Sequence, residues 1–181
     1  NIMRRTLIII TVLLFTIACF TGCQKDDDVT AVSHLYGIYA IREAKSNAPV
    51  DLNFDDKETE DIMKELPSIK NSFLTIKENT VEKGVFADQG WPIPENDKQG
   101  LTVPPNYLQS FSIGYCKINQ NKPQLIFEWQ KTIDKQVESE QTANFSKDET
   151  IQMNYETSVF TKNGWKDITV QLVYKRLSDI K

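Results

Sequence analysis

The stretch "ETIQMNYETSVFT" (149–161), followed after Lys162-Asn163 by "GWKDITVQLVYKRL" (164–177), decides the fold. Ile151, Met153, Tyr155, Thr157 and Val159 alternate with Gln152, Asn154, Glu156 and Ser158. Ile168, Val170, Leu172 and Tyr174 keep the same beat. A period of two places one set of side chains on a buried face and the other in water, which is half-buried sheet and not helix. Asn163-Gly164 sits where the two runs meet, the strongest short hairpin signal. The two runs therefore form an antiparallel pair.

Working outward, the same grammar recurs. "LYGIYAIREAK" (35–45) is a strand candidate, and "SFLTIKE" (72–78) with "TVEKGVFA" (80–87) forms a hairpin about Asn79. "YLQSFSIGYCKI" (107–118) and "PQLIFEWQKT" (123–132) flank the turn "NQNK" (119–122), with Leu125, Phe127 and Trp129 on one face. Sequential hairpins predict an all-β, antiparallel up-and-down barrel or a barrel-like sandwich. One short helix is expected near residues 56–66, where "DDKETEDIMKELP" (55–67) has acids in its first turn and Pro67 as its stop. Residues 88–106, "DQGWPIPENDKQGLTVPPN", carry two glycines and four prolines, which exclude a central strand and make this a long connection, either functional or disordered. "VESEQT" (137–142) reads as a solvated polar turn, and its Glu138 and Glu140 as surface residues.

The N-terminal part has a different character. Met3-Arg4-Arg5 is the expected start, Thr6–Phe20 is almost wholly apolar, and small residues precede Cys23. This run of fifteen residues, interrupted only by threonines, falls short of the roughly 20 that a spanning helix needs and suits the core of a secretory signal. Phe20-Thr21-Gly22-Cys23 resembles the lipobox of bacterial lipoproteins, with phenylalanine where leucine is usual. The resemblance implies acylation of Cys23, for example by palmitate. Acyl chains there would bind a bilayer at about 0.8 kcal/mol per buried methylene. "QKDDD" (24–28) resembles the export signal of surface lipoproteins in Bacteroidota, which implies an outer-membrane anchor with the body facing the cell exterior. The division is a signal peptide at 1–22, the acylated cysteine and polar tether at 23–33, and a barrel domain at 34–181.

Loss of Arg4 and Arg5 from 21 basic residues leaves 19 against 25 acidic ones, a formal charge of −6. Nothing in that balance favours nucleic acid. Once Cys23 is acylated and Cys19 removed with the leader, Cys116 is the remaining thiol, so packing alone must hold the domain. The single histidine, His34, lies at the end of the tether, which leaves Ser-His and Cys-His relays without a base. No enzyme activity and no cofactor is expected.

"PVDLNFDD" (49–56) sets Asp51, Asn53 and Asp55 at the D-x-N-x-D spacing that opens a calcium loop. Asp56 stands where that loop wants glycine, and Ile62 where it wants glutamate. The competing reading makes these residues the turn and cap before the helix. Together with Gly37-Ile38-Tyr39 and the acidic helix, this segment resembles the lipocalin-like lipoproteins of Bacteroidota. Gly37 and Tyr39 stand where lipocalins have glycine and tryptophan in the first strand. The resemblance implies a small barrel and transfers no catalytic residue.

A small barrel either fills its interior with side chains or encloses a ligand. Met153, Tyr155, Phe127 and Trp129 read mainly as core. Trp91 and Tyr107, at either end of the proline-rich connection, are candidate contact residues, with Trp129 and Tyr155 as further candidates. The leading expectation is a non-enzymatic module for a small apolar or amphipathic ligand. The rival is an accessory lipoprotein that docks on an outer-membrane complex or a host protein.

Overall fold

The computed structural model describes residues 33–79, 84–95, 104–119, 122, 124–130 and 137–178. The expected signal peptide at 1–22, Cys23 and most of the expected tether at 23–33 lie outside the described residues, as does the part of the proline-rich connection from 96 to 103.

Eight antiparallel strands close on themselves. They are β1 (Gly37–Val50), β3 (Phe73–Asn79), β4 (Gly84–Pro94), β5 (Tyr107–Ile118), β6 (Gln124–Gln130), β7 (Val137–Phe145), β8 (Thr150–Thr161) and β9 (Gly164–Ser178). Each bonds to the next in sequence, and β9 returns to β1, so this is the expected up-and-down barrel. A ninth strand, β2 (Thr59–Asp61), adds to the far end of β1. Closure satisfies the backbone groups that an open sheet would leave at its edges. The β8–β9 hairpin turns through Lys162-Asn163, and Gly164 takes φ 100°, a left-handed conformation that glycine adopts without steric cost.

The helix is shorter than expected. Residues Ile62–Glu65 form α1, capped by Asp61, whose carboxylate accepts from the Met63 amide at 3.2 Å. A 3-10 turn, Pro67–Asn71, follows. Pro67 ends the α-helix, and residues 59–61 are taken by β2, so the acidic run never propagates into further turns.

Alternation directs Tyr39, Leu74, Ile76, Ala87, Leu125, Phe127, Val170, Leu172 and Tyr174 inward, and each is completely buried. No water-sized void adjoins any of them. The barrel is therefore packed solid through most of its depth. One end is sealed by a short 3-10 turn, Ser33–Leu35. The Tyr39 hydroxyl donates to the Leu35 carbonyl at 2.7 Å, and Arg176 Nη2 donates to the Tyr39 hydroxyl at 2.9 Å and to the His34 carbonyl at 2.5 Å. The Arg176 guanidinium also lies 5.4 Å from the Tyr39 ring centre. At the other end Leu52, Ile62, Leu66 and Ile69 join the same core. There α1 lies against β1 and β2, the 3-10 turn after it reaches β1 and β4, and the Lys162–Asp56 ion pair ties the preceding turn to the β8–β9 hairpin.

Candidate functional site

At that second end β4 and β5 extend furthest. Past Gly90 on β4, and before Ile113 on β5, these strands pair with each other as an arm beyond β3 and β6. Residues 88–94 are thus strand, which corrects the expectation of a loop. The reason lies in the hydrogen-bond parity. Glu95 N donates to Asn106 O at 2.7 Å, so odd residues of β4 bond towards β5. Pro92 and Pro94 then point their missing N–H groups towards an edge where β3 has already ended.

One face of the arm carries Trp91, Ile93, Leu108 and Ser110. Trp91 reaches across the barrel to Tyr155 on β8, with ring centres 4.8 Å apart. Beneath this pair lies a polar layer, in which Gln89 Nε2 donates to the Tyr174 hydroxyl at 2.9 Å and contacts Met153 Sδ at 3.7 Å. Gln89 Oε1 is buried without a hydrogen-bond partner. Burial pushes the Tyr155 and Tyr174 hydroxyls above the usual phenol range, so both stay protonated. Above the pair the inward face opens: Ile93 is 45% exposed and Leu108 52% exposed. The result is a shallow mouth with an aromatic floor.

Trp129 continues the floor. It stacks on Phe127 at 5.3 Å, and its Nε1 donates to Gln141 Oε1 at 2.9 Å. Beside it a groove of about 430 Å³ runs between β7 and β8, lined by Trp129, Gln141 and Tyr155 among others. Tyr155 therefore links two of the other aromatic candidates, meeting Trp91 at the mouth and lining the groove with Trp129.

Tyr107 does not join them. Its position on β5 has the opposite parity to Ser110 and Trp91, so it faces the other side of the arm. Its hydroxyl is buried without a hydrogen-bond partner, and burial with the nearby Glu65 carboxylate pushes its pKa up to about 12. On that same face the Gln109 amide donates to Ser72 Oγ at 3.0 Å. Tyr107 helps to seat the α1 segment against the arm.

The Asp51, Asn53 and Asp55 oxygens are turned to backbone amides. Asp51 accepts from Asp55 N and Asp56 N, each at 3.0 Å; Asn53 accepts from Asp55 N at 2.9 Å, and Asp55 from Lys57 N at 2.9 Å. Phe54 and Asp56 have positive φ within this compact turn, and Lys162 approaches Asp56 at 2.5 Å. Among the described residues no three acidic, histidine or cysteine side chains converge as metal ligands.

Cys116 points inward, and burial raises its thiol to about 12. Two features escaped the sequence reading. "VESEQT" belongs to strand β7, whose Ser139 and Gln141 face inward beside the groove. Gln89 lies on the core face of β4, a placement that extending the Val85, Ala87, Trp91 alternation would have shown. No helix among the described residues is long and apolar enough to cross a membrane. No protein-family model, curated protein or solved structure significantly matches the chain.

Proposed function

We propose that this chain is a lipid-anchored outer-membrane lipoprotein facing the cell exterior, and that its barrel binds a small amphipathic ligand without catalysis. The observation that carries the reading is the mouth above Trp91 and Tyr155, where apolar side chains stay exposed beside a mixed polar rim. Clefts that join an aromatic or aliphatic floor to a few polar groups are the common form of ligand sites. Because the interior beneath is filled, the apolar part of the ligand rests on the floor and does not enter a deep cavity. A protonated Cys116 and a histidine placed at the sealed end support a non-enzymatic role.

Titration of the protein in a mild non-binding detergent with long-chain fatty acids and alkyl amphiphiles tests the ligand reading. Tryptophan emission should shift on binding, and Trp91→Ala should weaken affinity about tenfold or more, the loss expected for a buried aromatic contact. If no amphiphile binds, or Trp91→Ala binds as well as the parent, the reading fails. The anchor has its own test. Cells given labelled palmitate should label the parent protein and not Cys23→Ala, and equal labelling of the two would remove the lipoprotein assignment.

A second reading, docking on a membrane or host protein, is favoured by an outward apolar row on β3 and β5. Phe111 is 60% exposed, Ile113 43% and Phe73 37%. Contiguous exposed apolar residues of this kind mark interaction surfaces.

A further inference from the structure

Strands β7 and β8 bond to each other at three pairs: Ala143 with Met153, Asn144 with Gln152, and Phe145 with Ile151. Both continue as strands well beyond that point, β7 from Val137 and β8 to Thr161. Over Val137–Thr142, β7 is bonded to β6, and over Asn154–Thr161, β8 is bonded to β9. Their facing edges are unzipped. A register shift between Trp129 and Gln130, opposite Glu138, marks a bulge that bends β7 away from β8. The groove of about 430 Å³ occupies the gap, lined by Trp129, Tyr155 and residues 139–142 and 154–156.

Within the gap the Gln141 side-chain amide donates to the Asn154 carbonyl. A side chain thus makes the bond that a neighbouring strand makes elsewhere in the barrel. An unpaired edge is a template for another strand, and proteins that keep one exposed either guard it or use it. Charge selects the occupant. Glu140 and Glu156 line the groove and Glu138 flanks it, all three exposed on the outer face, and no lining residue among those described is basic. A second copy of this chain would set the same carboxylates against them. The inner face offers Trp129, Gln141 and Tyr155.

We propose that this seam receives an extended peptide segment of a partner protein, with lysine or arginine at alternate positions and apolar residues between them. The peptide backbone bonds to the free edges of β7 and β8. Its basic side chains meet Glu138, Glu140 and Glu156 outside, and its apolar side chains rest on Trp129 and Tyr155 inside. The period of two in any strand delivers both sets at once. This goes beyond the mouth ligand, which needs no backbone pairing.

The probe is a fluorescent nine-residue peptide alternating lysine and valine, added to the full chain in mild detergent. Two relatives serve as controls, one with glutamate for lysine and one N-methylated at alternate amides. The expected result is binding that each change weakens at least tenfold, with amide exchange slowed over 138–142 and 154–158. The Glu140→Lys/Glu156→Lys variant alters exposed side chains, so it should keep its circular dichroism while losing the lysine peptide and gaining the glutamate one. No binding of the lysine peptide, equal binding of the N-methylated form, or protection elsewhere would overturn the proposal. So would a concentration-dependent dimer that the peptide fails to dissociate, since a second copy would then hold the seam. Amphiphile binding to Trp91 is read separately, so either idea can fail alone.

Discussion

At Gly114 a methyl group would lie 2.1 Å from the Glu128 carbonyl oxygen and 2.9 Å from the Trp129 Cα. Both are backbone atoms of the paired strand, and neither can swing aside as the end of a side chain could. Gly114→Ala should therefore destabilise the fold by about 1–3 kcal/mol, the usual cost of overpacking. Urea unfolding at equal m-value measures it, and a change under about 0.5 kcal/mol would mean that β5 and β6 are not so close. The Gln89–Tyr174 bond gives a second residue-scale expectation. Tyr174→Phe keeps the shape and leaves the Gln89 amide only the weak Met153 sulfur as acceptor, at a cost of about 1–2 kcal/mol. An unchanged unfolding midpoint would contradict this polar layer.

At the scale of elements, β7 is the weakest part of the wall. Its amides over 138–142 should exchange with solvent faster than those of β9 at 170–174, which has bonded partners on both sides there. Uniform protection around the barrel would mean that the seam is closed. The same strand shows where sequence reading succeeds and where it stops. β8, β9 and β6 were legible because each buries one face, and burial writes alternation into the sequence. β7 presents serine and glutamine to an opening and glutamates to water, so neither face demanded apolar residues, and it read as a turn. The end of β4 was obscured by Pro92 and Pro94, whose effect depends on which edge they face, and that is set by pairing with distant residues. Trp91, Trp129 and Tyr155 could be nominated from their residue types. Their meeting with Gln141 depends on barrel closure, which no local pattern encodes.

For the whole molecule, buried thiol and phenol groups set the response to alkali. Cys116 and Tyr107 each ionise near 12 when folded, against ordinary values of 9.0 and 10.0. Above pH 9 to 10 the unfolded chain loses these protons while the folded chain keeps them. The unfolded state then binds fewer protons, so stability falls as pH rises, by up to about 1.4 kcal/mol per pH unit for each group. The decline should run from about pH 9 to 12. Stability that stays flat or rises over that interval would contradict the burial of these groups.

The central claim is a barrel that is solid below the Trp91–Tyr155 pair and open above it, with its ligand held at that opening. Crystals grown with a brominated alkyl amphiphile test it most directly through the anomalous signal of bromine. The account predicts bromine above the two rings, beside Ile93 and Leu108. Bromine among Phe127, Leu172 and Tyr174, within the barrel, would contradict it.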